Sequence, residues 1–215
     1  MTHMISVSRA RRRVRAFCAD EDGASLVEFA LVITLFLFLL MAIIDFGRIG
    51  HAWVGANKAT QLAARIAAVR PPACPNVPVL NERVSLSTAT YGSLCRVRSD
   101  VCKIPVPAVS FCQGTASNAT ALEIFTAVRP LLPQDTRIDQ MRYTYAFDPN
   151  LGFLGGPYVP MVTVEFTGVN FTFISPLRFF VTAWTGQSST DETPLTLPGM
   201  SVSLPGEDLA LGMDG

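Results

Sequence analysis

The residues from Gly23 to Ile44, GASLVEFALVITLFLFLLMAII, form one apolar run holding a single carboxylate, Glu28. No proline and no turn cluster interrupts it, so the run reads as a helix. About twenty apolar residues rising roughly 1.5 Å each span about 30 Å, the thickness of a bilayer's hydrocarbon core. A charged side chain inside such a helix costs roughly 2.5–3.5 kcal/mol on insertion scales and points by default to function. Glu28 follows Gly23 by five residues, and Gly23 directly follows a charged segment.

That segment sets the orientation. Arg9, Arg11, Arg12, Arg13 and Arg15 crowd the stretch before the apolar run. Excess basic residues keep a flanking segment in the cytoplasm, so the chain beyond about residue 46 is expected on the far side. The net charge is zero, which gives no argument for nucleic acid as a partner. The cysteines agree with this topology. Cys18 stays on the cytoplasmic side, whereas Cys74, Cys95, Cys102 and Cys112 fall on the exported side, where two disulfides are expected. Three pairings are possible; Cys95–Cys102 and Cys102–Cys112 are the short local loops. Zinc is not expected, since no histidine lies near these cysteines.

A secretory signal has a shorter apolar core and a small-residue cleavage site after it. Here the run is longer and continues into Asp45-Phe46-Gly47-Arg48. A plain anchor accounts for the run but not for Gly23 with Glu28. The residues Ala24-Ser25-Leu26-Val27-Glu28-Phe29-Ala30-Leu31-Val32, the apolar block and Asp45-Phe46-Gly47-Arg48 resemble the TadE-like family. These are minor pseudopilins of the tight-adherence (Flp-type) pilus system, with a type IV pilin-like N-terminus. The run Ala59 to Ala68, with Arg65 among alanines, is also similar to that family.

The resemblance implies that a prepilin peptidase cuts between Gly23 and Ala24. Glu28 then becomes the fifth residue of the mature chain, followed by Phe29, and together they form the assembly motif. It further implies as partners the major pilin, other minor pseudopilins, an inner-membrane pilus assembly platform and the lipid bilayer. The implied location is the bacterial inner membrane, single-pass, N-terminus cytoplasmic and C-terminal domain periplasmic, with entry into the pilus itself left open.

The expected organisation is a basic leader over 1–23, a transmembrane helix over 24–46, its extramembrane continuation over 47–70, and an exported α+β domain over 71–215. Gly47, Gly50 and Gly55 are expected to loosen the helix. Ala52, Ala56, Ala59, Ala63 and Ala67 put small side chains on one face. That face suits close packing on the protein's own sheet or on neighbouring helices in a fibre. Pro71 and Pro72 end the helix. Residues 74–117 read as irregular and in need of disulfides. Asn118 is placed to cap a short helix from Ala119 to Val128, stopped by Pro130 and Pro133.

Met141, Tyr143, Tyr145 and Phe147 alternate with less apolar residues, as do Val162, Val164 and Phe166, the pattern of half-buried strands. After Gly168 the phase slips to Val169, Phe171 and Phe173, which suggests a bulge or bend. Met200, Val202 and Leu204 give a weaker third strand. The fold class is therefore α+β: a long N-terminal transmembrane helix continuing into a small antiparallel sheet, pilin-like and disulfide-containing.

Little argues for catalysis. The only histidines are His3 and His51, and no nucleophilic triad, metal-ligand spacing or phosphate loop is present. The acids Glu123, Asp135, Asp139, Asp148 and Glu165 are scattered. No catalytic residue, metal or cofactor is expected. Two readings remain: a non-enzymatic assembly component of a pilus acting in its biogenesis and in surface adhesion, or a signal-anchored exported domain with a binding or hydrolytic role unrelated to pili.

Overall fold

A computed structural model describes residues 23–173, 195–207 and 209. Its elements in chain order are α1 (Ala24–Ala68), β1 (Val109–Gln113), α2 (Ala119–Val128), β2 (Met141–Ala146), β3 (Met161–Phe166), β4 (Asn170–Phe171), β5 (Leu195–Thr196) and β6 (Met200–Pro205). The fold is α+β, with an antiparallel sheet in the order β1-β2-β3-β6 and a two-stranded sheet of β4 and β5. The described residues fall into two compact units, one of 23–47 with Phe173 and one of 48–172 with 195–207 and 209.

Helix α1 runs for 45 residues, about 68 Å at 1.5 Å per residue. It stays regular through Gly47 and Gly50 and through Gly55, where loosening was expected. Gly55 has a packing reason instead: a Cβ built there would lie 2.5 Å from the carbonyl oxygen of Leu131. Alanine is the better helix former by about 1 kcal/mol. Overpacking against a backbone atom costs about 1–3 kcal/mol. Gly55→Ala is therefore expected to lower the melting temperature in a thermal unfolding scan, against the direction of helix propensity.

Along the second half of α1, Ala56, Ala59, Ala63, Ala64 and Ala67 are wholly buried, with Thr60 beside them. Thr60 satisfies its hydroxyl on the carbonyl of Ala56 at 2.8 Å. Of the two uses open to the alanine face, the structure takes close packing within the protein's own domain. The helix ends at Ala68, whose carbonyl accepts from the amide of Glu207 at 2.8 Å. That bond satisfies one of the orphan acceptors of a helix C-terminus.

The sheet presents one face to the core. Met141, Tyr143 and Tyr145 of β2 pair in register with Phe166, Val164 and Val162 of β3, and all six are buried. Met200, Val202 and Leu204 of β6 continue the same rows. The opposite face carries Arg142, Thr144, Thr163, Glu165, Ser201 and Ser203. Burial pushes the Tyr143 and Tyr145 phenols up, and Tyr158 up to about 12, so all three stay neutral across the physiological range. The Tyr145 hydroxyl accepts from the amide of Ala73 at 3.0 Å, tying the chain just beyond α1 to the sheet.

Helix α2 spans Ala119–Val128, and the Asn118 side chain accepts from the amide of Ala121 at 2.8 Å as its N-cap. One expectation is corrected and another resolved. Of the bulge or bend expected at Gly168, the structure takes the bend. Gly168 takes φ +69°, and the chain leaves the four-stranded sheet to pair Asn170–Phe171 with Leu195–Thr196. The stretch 74–117 is not wholly irregular, because it contains β1. The continued alternation at Phe147 lies just past the end of β2.

Candidate functional site

The first half of α1 and, separately, the disulfide-tied domain hold the residues singled out by the sequence. The α-helix begins at Ala24, directly after Gly23, so the Gly23–Ala24 bond lies at its margin. Glu28 falls four residues on, one turn along and on the same helix face as Ala24. Among the described residues Glu28 makes no hydrogen bond and no ion pair. Its surroundings are apolar and exposed: Leu26, Val27, Phe29, Leu31 and Val32 all project outward, Phe29 with 62% of its surface open. Consecutive helix residues lie about 100° apart, so these side chains cover every side of the helix. An apolar surface on all sides belongs to a helix surrounded by lipid or by other helices. This is the one helix among the described residues long and apolar enough to cross a membrane.

Cys74, Cys95, Cys102 and Cys112 are joined in two disulfides. Cys74 bonds Cys112 across 38 residues, and Cys95 bonds Cys102 across seven. Of the two short pairings considered, Cys95–Cys102 is the one present. The Cys74–Cys112 bond fixes the chain leaving α1 to β1. The Cys95–Cys102 bond lies in a satellite core with Ala89, Val101 and Leu154. Cys18 lies outside the described residues, as does His3.

A buried asparagine holds that satellite core to the rest. The Asn81 side-chain amide donates to the carbonyls of Pro157 at 2.9 Å and Phe153 at 3.3 Å. Its backbone exchanges bonds with Gly156 and Gly155. No sequence signal marks Asn81, because its role depends on a loop more than seventy residues away. Several of the scattered acids have partners. Glu123 takes the Arg70 guanidinium at 2.9 Å, Asp139 takes Arg137, and Asp148 accepts from the amide of Asn150 at 2.8 Å. Among the described residues no cluster of three or more His, Cys, Asp or Glu forms a candidate metal site.

The family model described as TadE-like protein matches residues 23–65. The match starts at Gly23 and ends inside α1, so it covers most of that helix and none of the sheet. TadE-like segments are associated with the tight-adherence pilus system. No curated protein and no solved structure matches the chain.

Proposed function

We propose that the chain is a minor pseudopilin of a tight-adherence pilus, a non-enzymatic component anchored by α1 and acting in pilus assembly. The observation that carries this reading is the unpartnered carboxylate of Glu28, one turn into a helix with apolar side chains exposed on every side. A lone membrane anchor gains nothing from such a group, because it adds an insertion cost of roughly 2.5–3.5 kcal/mol. In an assembly the carboxylate gains a partner supplied by a neighbouring subunit. The match that starts at Gly23 and runs along α1 supports the same reading.

On this proposal the N-terminus is cytoplasmic, the sheet domain lies in the periplasm, and a prepilin peptidase frees the amine of Ala24. That amine is then the nearest cation to Glu28, since no Lys, Arg or His occurs from Ala24 to Ile44. Major pilin, other minor pseudopilins and the inner-membrane assembly platform are the partners.

The test is the intact mass of the chain isolated from cells. With an active prepilin peptidase the mass is expected to correspond to a chain starting at Ala24. Gly23→Leu, or loss of the peptidase, is expected to leave the leader attached. A wild-type chain that still begins at Met1 in peptidase-positive cells contradicts the processing step.

A further inference from the structure

The segments 76–82 and 103–106, with Tyr158, line a cleft of about 540 Å³, inside the roughly 300–1,000 Å³ range of small-molecule sites. Two of the lining side chains are polar and almost wholly buried, Asn81 at 5% exposure and Tyr158 at 4%. Each keeps one oxygen that no hydrogen bond reaches. The Asn81 amide nitrogen donates to the carbonyls of Phe153 and Pro157, which fixes the orientation of the side chain and leaves Oδ1 without a donor. The Tyr158 amide donates to Val79 at 2.8 Å and its ring stacks on Phe147, but its hydroxyl has no partner. Neither oxygen is sealed in the interior, because the one fully enclosed, unbonded side-chain polar atom among the described residues is Thr136 Oγ1. What stays open on Asn81 and Tyr158 therefore faces the cleft they line. Polar atoms this deep are disfavoured unless water or a ligand satisfies them.

The rest of the lining narrows the ligand. The walls are Val77, Pro78, Leu80, Pro105 and Val106, aliphatic surfaces that pack against C–H groups. The two charged residues of the cleft, Lys103 and Glu82, neutralise each other at 2.8 Å, so an ionic ligand finds no unpaired charge there. A polypeptide strand is no better served. The main chain around the cleft already bonds within the protein: Asn81 with Gly155 and Gly156, Lys103 with Glu82, and Tyr158 with Val79. Pro78 and Pro105 have no N–H. Strand addition needs a free row of main-chain groups. What the cleft offers instead is one acceptor, Asn81 Oδ1, and one hydroxyl that both donates and accepts, Tyr158 Oη. Neighbouring hydroxyls on a body of C–H groups match that set, and this is the surface of an uncharged sugar ring.

We propose that the cleft binds an uncharged saccharide. One sugar hydroxyl donates to Asn81 Oδ1, a neighbouring one bonds Tyr158 Oη, and the C–H groups of the ring lie against Pro78, Pro105 and Val106. The site uses neither Glu28 nor the apolar half of α1, so it stands or falls apart from the assembly reading.

The test uses the full-length chain in phosphatidylcholine nanodiscs, which carry no sugar headgroups. The probes are maltose, cellobiose, lactose and N,N′-diacetylchitobiose, titrated by saturation-transfer NMR. At least one is expected to bind saturably, with the same affinity at low and at high salt, because no net charge is engaged. Tyr158→Phe is expected to weaken that binding about tenfold, the effect of one lost hydrogen bond. The melting temperature is expected to stay unchanged, since the hydroxyl bonds nothing in the fold. Val106→Trp, at a position 92% exposed on the cleft wall, is expected to fill the opening and abolish binding, again with no change in melting temperature. Binding of none of the sugars overturns the proposal, whether or not a capped, uncharged peptide of alternating threonine and valine binds in their place. So does an affinity that falls steeply with salt, or binding that survives both Tyr158→Phe and Val106→Trp at the wild-type level.

Discussion

Replacing Cys74 and Cys112 together by alanine is expected to lower the stability of the sheet domain by about 4 kcal/mol. The bond closes a loop of 38 residues, and the loss of chain entropy in the unfolded state grows with that length. The seven-residue loop of Cys95–Cys102 predicts a smaller loss, about 2 kcal/mol. The sites also differ in what they hold. Cys74 follows the end of α1, and Cys112 lies in the edge strand β1, so the longer bond joins the helix exit to the sheet. Without it the Ala73–Tyr145 hydrogen bond is the nearest tie left between these parts. Urea unfolding of the full chain in detergent, followed by tyrosine circular dichroism, checks this. The expected order of midpoints is wild type, then the Cys95/Cys102 double variant, then the Cys74/Cys112 double variant. The reverse order of the two variants contradicts the account.

The long helix was legible because its signal is additive over many residues. Twenty apolar positions fix the first half, and alanines at spacings of three and four fix the second. Strands β2 and β3 were legible because one face is buried against an apolar core and the other meets water, which is the condition for period-two alternation. Strand β1 escaped the same reading for a physical reason. Its inward residues are Ser110 and Cys112, and its outward ones include Val109 and Phe111, so its polarity is inverted. The Cys112 side of the strand is tied by a disulfide rather than packed with aliphatic side chains. The slip at Gly168 was visible in the sequence. Its meaning was not, since a one-residue phase change looks alike whether a strand bulges or the chain passes to a new sheet. At the candidate site, the spacing from Gly23 to Glu28 was readable directly. Of the disulfides, Cys95–Cys102 was among the short pairings considered, whereas Cys74–Cys112 depends on where β1 lies, and the position of Asn81 depends on a loop far along the chain.

Glu28→Gln is expected to abolish the chain's contribution to pilus assembly while leaving insertion, processing and the folded domain intact. Glutamine keeps the shape and removes the charge. The substitution leaves Gly23 and Ala24 unchanged, so the proposed peptidase site is preserved. The fold of the sheet domain is expected to be untouched, because Glu28 is exposed on α1. A neutral residue is also cheaper to insert, so the membrane level of the variant is expected to equal or exceed that of the wild type. On the proposed assembly role, what is lost is the charge expected to draw a neighbouring amine into register. A paired charge in a low-dielectric setting is strongly unfavourable to break, at about 3–5 kcal/mol. A loss of that size is more than a hundredfold in an association constant.

The most direct measurement is therefore complementation of a strain lacking this chain, with wild type or Glu28→Gln expressed at matched membrane levels. Surface pili are counted by electron microscopy, and cross-linking to the major pilin is scored on the same cells. The account predicts that the wild type restores both, and that Glu28→Gln restores neither although it is inserted, cleaved after Gly23 and folded. Restoration of pili by Glu28→Gln to the wild-type level contradicts the assembly role of this carboxylate, and with it the reading of α1 as the assembly element.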